Sequence, residues 1–410
     1  MLKTPRARDA PLLPEASPPV ALLLAALLMP VVFLGSGCAA DPPGGSSASS
    51  APPEAEAPRI RAVTLDAVDR PPDSTLRAVA RLGATHLALV SFGFQRGPQA
   101  TRIQMHTGGD GEDGWYSETD AGIRALARRA DSLGMGLVLK PHLWVGREGG
   151  SRLDIAFERE QDWKAWQQQY RRFLLHYARL AEAVEADLLV IGTELAGTTS
   201  ARPGFWRKLI ADVRAAYAGK LTYAANWHEE YESVPFWDAL DYVGVQGYFP
   251  LAEQEEPATR ALRDGWQPHR RALRRVSARA GKPIFFTELG YRNARSAAAE
   301  PWRWPEEHHA PAPRLQARLY EAFFAEVWPR PWIAGAAVWK WPVARERRHA
   351  TGFMPRGPAA EAIRRGFEAP PPADELLPRR RGRRGKRAGH AAPCASAWTA
   401  PEPGGPAGRV

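Results

Sequence analysis

The chain has only two cysteines, Cys38 and Cys394, and no apolar run long enough to cross a bilayer. Two thiols cannot build a disulfide framework, so any folded domain must be held together by its core. The longest apolar stretch, residues 20–34, is interrupted by Pro30; as a helix it would reach about 22 Å against a hydrocarbon core of ~30 Å. Motifs for metal and nucleotide chemistry are also missing. There is no H-E-x-x-H, no closely spaced cysteine pair, and His308-His309 stands among prolines, so neither a catalytic metal nor another cofactor is expected.

A positive surface spread over the whole chain is missing too. The formal net charge is +10, but residues 369–410 alone carry eight Lys or Arg against three Asp or Glu, mostly in the run Arg379, Arg380, Arg381, Arg383, Arg384, Lys386 and Arg387. A Pro- and Arg-rich segment with so few apolar residues cannot offset its ordering entropy and is expected to be a disordered tail. It reads as a solvated end or as a contact for an acidic surface. Nucleic-acid binding would rest on this run alone, without the interleaved aromatics such binding uses, and is not expected.

What the chain does contain begins with an export signal. Lys3, Arg6 and Arg8 precede the apolar stretch, and Leu34-Gly35-Ser36-Gly37-Cys38 follows it. The small residues before Cys38 resemble a bacterial lipobox, with its leucine one residue further away than usual. The expectation is cleavage before Cys38, lipid attachment to its sulfur, and a lipoprotein of the cell envelope. The alternative is an ordinary signal peptide with an incidental cysteine. Residues 39–58, rich in Ala, Pro, Gly and Ser, suit a flexible tether.

Residues 59–368 alternate short apolar runs with longer amphipathic ones. Strands are predicted at 60–65, 86–90, 136–140, 188–192, 221–225, 242–246, 284–287 and 333–339. Helices are predicted at 74–82, 118–133, 163–184, 205–217, 234–240, 266–280 and 313–327. Strand followed by helix, repeated about eight times, predicts an α/β fold of the (β/α)8 TIM-barrel class. A doubly wound open sheet is disfavoured, because Leu65-Asp66-Ala67-Val68-Asp69 stands where a glycine-rich phosphate loop would follow the first strand.

In such a barrel the chemistry sits where strands end. The polar and aromatic residues at those ends are Lys140, His142 and Trp144, then Thr193 and Glu194, Asn226 and Trp227, Gln246 and Tyr248, Glu288, and finally Trp339 and Trp341. Glu194 and Glu288 each close an apolar strand, where an unpaired charge would be costly. Either alone reads equally well as a structural ion-pair partner. Together, on strands four and seven, they face one another across the mouth and can flank a bond. Two carboxyls about 5–5.5 Å apart hydrolyse glycosides with retention, one protonating the leaving oxygen and the other attacking the anomeric carbon. Flat indoles stack on sugar faces, which gives Trp144, Trp227, Trp339 and Trp341 a reading as a sugar rim, while tryptophans on helices read as core. Tyr248 can hydrogen-bond the attacking carboxylate and keep it ionised. Lys140, His142 and Trp144 share one face of an extended segment and read as sugar-hydroxyl ligands or, equally, as a rim ion pair and a structural histidine.

At these residues the sequence resembles clan A glycoside hydrolases, and specifically family 113, in segments 140–144, 191–197 and 283–291. Residues 352–359 (GFMPRGPA) and a final helix ending at Phe367 are also similar. The resemblance implies that Glu194 is the general acid/base and Glu288 the nucleophile, and that β-1,4-mannan or glucomannan is the first substrate to try. Many clan members carry Asn just before the acid/base, where this chain has Thr193; either Thr193 or Asn226 supplies that sugar contact, or the contact differs. The expected protein is therefore a retaining glycoside hydrolase acting on a β-linked polysaccharide or oligosaccharide, monomeric by default. The rival reading is a non-catalytic carbohydrate-binding lipoprotein on the same scaffold.

Overall fold

The computed structural model describes residues 58–106, 108, 116–146, 150–303, 310–343 and 349–369. The expected signal segment with Cys38, the tether apart from Pro58, and the basic tail apart from Ala369 lie outside the described residues. Among the described residues no helix is long and apolar enough to cross a membrane.

Eight parallel strands form the centre: β1 (Ile60–Asp66), β2 (His86–Gln95), β3 (Gly136–Val145), β4 (Leu188–Thr193), β5 (Lys220–Ala225), β6 (Val243–Gln246), β7 (Ile284–Leu289) and β8 (Ile333–Pro342). Each pairs with the next, and β1 pairs with both β2 and β8, which closes the sheet into a barrel. Outside it lie α1 (Asp73–Ala80), α2 (Asp120–Asp131), α3 (Glu160–Ala183), α4 (Ala196–Ala201), α5 (Pro203–Arg214), α6 (Glu230–Ser233), α7 (Thr259–Ala280), α8 (Pro313–Glu326) and α9 (Pro358–Glu368). This is the (β/α)8 barrel that the alternation predicts.

The strands read as continuous apolar runs because both their faces are buried. Ala62, Ala88, Val138, Val190, Ala224, Phe285 and Ala337 fill the inside, mostly with small side chains. A larger outer layer packs strands against helices, with Trp166 stacked on Tyr170 and Trp206 on Phe236.

Three of the departures from the predicted elements bear on the site. The 234–240 segment is not a helix: one turn, α6, precedes it and a 3-10 turn covers Trp237–Ala239. Pro235 explains the break, since the residue before a proline is driven to extended backbone and Val234 has ψ 123°. α7 begins at Thr259, earlier than predicted, and carries Pro268 inside it. β3 continues through Pro141 to Val145, in unbroken register with β2 up to Gln95↔Val145. The proline is tolerated because β4 pairs with β3 only at Val138 and Leu139, so no ladder bond is lost on that side. β2 and β3 thereby rise past the barrel rim as a wall. A short antiparallel strand, Gln104–Met105, edges it, and it is held from behind by the indole of Trp166, which donates to Gln95 Oε1 at 2.9 Å. Gly93 sits where a Cβ would come within 2.7 Å of the Phe173 ring, so only glycine lets the wall pack on α3.

Candidate active site

Val138 faces the barrel interior, so two-residue alternation along β3 aims Lys140 and then His142 into the mouth. Lys140 is 1% exposed, and its three donors all find acceptors: Gln246 Oε1 at 3.1 Å, the Thr287 carbonyl at 3.2 Å and Glu288 Oε1 at 2.5 Å. Burial lowers the Lys140 pKa from its ordinary value, and the charge of Glu288 opposes that fall. The second oxygen of Glu288 accepts from the Tyr248 hydroxyl, whose own pKa is held well above the usual value, first by burial and then by the Glu288 charge. Gln246 Oε1 is fixed in turn by the Thr287 hydroxyl at 3.0 Å.

Glu288 would face outward by strict alternation, because Phe285 lies in the inner core and Phe286 in the outer. An extra residue in β7 corrects this. Val245 and Gln246 are consecutive in β6 but stand opposite Phe286 and Glu288, so the bulge at Thr287 turns the carboxylate inward.

Glu194 lies just beyond a similar irregularity in β4, where Val190 and Thr193 face Thr222 and Ala224, and it adopts a positive φ of 51°. That left-handed backbone is costly for a residue with a Cβ and persists only where its surroundings enforce it. The Glu194 N–H donates to the Ala224 carbonyl at 2.9 Å, and the next amide, Leu195 N–H, donates to the Tyr223 hydroxyl at 2.5 Å. The Glu194 side chain accepts from Asn226 Nδ2 at 2.9 Å and from the guanidinium of Arg152, which lies in a 3-10 turn after β3. Asn226 Oδ1 accepts from His228 N–H at 2.8 Å, which fixes the orientation of its amide. Of the two residues that could stand in for the clan's asparagine, only Asn226 reaches the glutamate. Thr193 Oγ1 is buried with no hydrogen bond.

Burial holds the His142 pKa well below the usual value, and the charges of Lys140, Arg152 and Lys340 push the same way. Its ring lies parallel to Trp339 at 6.3 Å and edge-on to Phe92 at 5.5 Å, and its Nε2 has no hydrogen-bond partner. Trp144 packs against Phe92. Phe92 and Phe94 stand in register with His142 and Trp144 on the β2–β3 wall, and Phe94 is exposed. On the other side of the mouth Trp227 stacks on Trp302 at 4.8 Å and meets Phe249 edge-on; Trp302 is 41% exposed.

Trp341 is not brought to this group. A register shift between β1 and β8 sets it opposite Leu65, an outer-core residue, and it packs into that layer. Three residues that the strand ends did not signal do belong to the site: Arg152, Trp302 and Glu230. Glu230 is 4% exposed, accepts from the Tyr223 hydroxyl at 2.6 Å and from Asn226 N–H at 2.7 Å, and is pushed up to about 7 by burial against those two hydrogen bonds. Among the described residues no group of three or more His, Cys, Asp or Glu side chains could hold a metal ion.

A buried mouth with two separately held carboxylates and flanking aromatic faces can cleave a glycosidic bond, and the comparisons agree with that chemistry. None of the curated proteins compared with the chain matches it. Among solved structures, the chain is similar to a GH113 β-mannanase from Alicyclobacillus acidocaldarius, at 28% identity over 77% of this chain and 99% of that one, with a TM-score of 0.65. A second GH113 β-1,4-mannanase is 25% identical over 76% and 99%, with a TM-score of 0.62. A β-glucuronidase from Ruminococcus gnavus, 12% identical over 76% of this chain and 50% of that one with a TM-score of 0.52, shares the fold alone. The family description Glycoside Hydrolase Family 113 matches residues 69–352, so the chain belongs to glycoside hydrolase family 113 and is a retaining glycosidase.

Proposed function

We propose that the protein is a β-1,4-mannan or glucomannan hydrolase in which Glu288 is the nucleophile and Glu194 the general acid/base. The observation that carries the role assignment is the contrast in partners. Glu288 takes a hydrogen bond on each oxygen from buried donors, the Lys140 ammonium and the Tyr248 hydroxyl, so both of its oxygens are fixed and the carboxylate is aimed, whereas Glu194 is met by Asn226 and by the half-buried Arg152. An ionised carboxylate can attack the anomeric carbon to form a glycosyl ester while the bond to the leaving oxygen breaks. Protonated Glu194 gives its proton to that oxygen, and Asn226 and Arg152 receive the carboxylate that remains. The same carboxylate then takes a proton from water, whose oxygen displaces Glu288 and leaves the anomeric configuration unchanged overall.

Mannan is put forward because the two β-mannanases similar to this chain act on it. His142 Nε2, which makes no hydrogen bond and lies 3.8 Å from Glu288 Oε1, is proposed to meet a sugar hydroxyl, and the aromatic faces on both sides of the carboxylates suit a chain of several sugars. Reducing-sugar release measured over mannan, glucomannan, xylan, β-glucan and peptidoglycan tests the substrate. Release from mannan or glucomannan is expected; release from one of the other three alone would overturn it. We also propose that the chain is exported and lipid-anchored at Cys38. Palmitate labelling of the full chain in a bacterial host, lost in Cys38→Ala, is the expected result.

A further inference from the structure

Glu194 is held from behind by a second buried carboxylate, Glu230. Both oxygens of Glu230 are engaged. One accepts from the Tyr223 hydroxyl, and that hydroxyl's own oxygen accepts from the N–H of Leu195, the residue directly after Glu194. The other accepts from the N–H of Asn226, whose side chain donates to the Glu194 carboxylate. One buried carboxylate therefore braces Glu194 twice: through the backbone on its C-terminal side and through its side-chain partner. The bracing matters because Glu194 sits at φ 51°, a conformation a glutamate leaves when nothing fastens it. Tyr223 itself packs edge-on against the stacked pair Trp206 and Phe236, which limits the freedom of its hydroxyl to follow Glu194 if the backbone relaxes.

We propose that Glu230 is a positioning residue for Glu194: through Tyr223 and Asn226 its carboxylate holds the acid/base in the geometry that delivers a proton to the leaving oxygen, and it does so only while ionised. The inference rests on the role proposed above for Glu194. The dependence on ionisation follows from the hydrogen bonds. Both groups that reach Glu230 are donors, so a proton on either of its oxygens leaves one buried donor without an acceptor. The charged groups that face it are Glu194 at the end of β4, which favours its protonation, and Arg152 from the turn after β3, which opposes it. Burial is the largest influence and raises the carboxyl to about 7. Proton delivery by Glu194 should therefore fail progressively as pH drops through neutrality, at a pH where a bond that needs no protonation is still cleaved.

The test compares two aryl β-mannobiosides on the full-length chain, one with a phenol leaving group that needs a proton and one with 2,4-dinitrophenol that does not. Glu230→Gln keeps the shape of the side chain and removes its charge. It is expected to lower kcat/KM about 30-fold for the phenyl glycoside and less than about threefold for the dinitrophenyl one. The phenyl pH profile should also lose its limb near neutrality. Tyr223→Phe cuts the arm to Leu195 and keeps the arm to Asn226, so it should give the same selectivity with a smaller loss. In the unmodified enzyme the acid limb of the phenyl profile should lie above that of the dinitrophenyl profile, a reading that needs no variant to fold. Equal losses on both glycosides, or coincident limbs in the unmodified enzyme, would overturn the inference while leaving the glycosidase reading intact. An enzyme that cleaves neither glycoside but does cleave another aryl β-glycoside moves the comparison to that sugar and overturns only the choice of mannan.

Discussion

The two carboxylates of the mouth are held by different kinds of structure. Glu288 is gripped by Lys140 from β3 and by Tyr248 just after β6, with Gln246 and Thr287 locking Lys140, all of them buried. Glu194 is held by Arg152 from a turn and by Asn226 from the segment after β5, at a backbone angle that its neighbours must enforce. A nucleophile keeps one charge state until it bonds to carbon, so a rigid, strand-borne nest suits it. An acid/base gains and loses a proton in every turnover, and partners on loops can follow that change. The sharpest test of the contrast is to remove each carboxylate. Glu288→Ala is expected to lower turnover of an activated aryl β-mannoside by at least about 10⁴-fold, because no covalent intermediate forms without it. Glu194→Ala should cost natural substrates about 10²- to 10⁴-fold and spare kcat/KM on the activated one. Small and equal effects would dissolve the distinction.

The partners should differ in the same direction. Lys140→Met leaves Glu288 buried beside an apolar chain, and breaking a buried pair by removing one member costs about 3–5 kcal/mol. Loss of stability and of activity together is expected, read as a lower Tm and a lower kcat. Arg152→Met removes a partner whose side chain is 29% exposed, and water can replace part of what it gives Glu194. Its Tm should barely move while kcat/KM falls for poor leaving groups. A larger Tm loss for Arg152→Met than for Lys140→Met would reverse the ranking of the two nests.

The rigid half of the site was the more legible half. Lys140, Tyr248 and Glu288 stand out in the sequence because each is a polar residue at the end of a run that must otherwise be buried, and the barrel follows from the same runs; of the looser half, Glu194 and Asn226 stand out in this way. The elements that fix their aim were hidden. A bulge leaves the apolar pattern of β7 unchanged while turning Glu288 inward, and a register shift sends Trp341 outward although it stands two residues from Trp339. Arg152 lies in irregular chain, where Ser151 and Asp154 mark a turn and nothing marks its target. Glu230 looks like an ordinary acidic residue opening a helix. Its partners Tyr223 and Asn226 precede it by seven and four residues, and only the fold of that segment brings the three together.

Glu230 also ties the looser nest to stability, with a sign that can be worked out. Its folded pKa of about 7 lies above the ordinary value of 4.5, so between those limits the native state keeps a proton that the unfolded chain has lost. Its contribution to stability is complete below about 4.5 and is lost as pH rises to about 7, a change on the order of 3 kcal/mol. Glu230→Gln has no such titration. The Tm of the unmodified protein relative to that variant should therefore fall between pH 5 and pH 8. Parallel curves would show that the group does not titrate in that window. The form needed for proton delivery is thus the less stable one, as expected where function sets a buried charge in place.

The smallest effect belongs to the aromatic faces that flank the carboxylates. Trp227 has one face covered by Trp302, so the outer face of Trp302 is the surface open to a sugar, with Trp227 as its backing. Trp227 adjoins Asn226, the partner of Glu194, which on the roles proposed above sets this platform on the leaving-group side of the bond. Trp302→Ala should then raise KM for long mannan chains about three- to tenfold, near the 0.5–1.5 kcal/mol of one aromatic contact, and leave an aryl β-mannobioside unaffected, since its leaving group is too short to reach. Trp144→Ala, on the wall that also carries Lys140, should raise KM for both if this wall lines the glycone, which is common to the two substrates. If Trp302→Ala weakens the short substrate as much as the long one, the platform is part of the central site, and the two sides of the mouth are not divided as the two nests suggest.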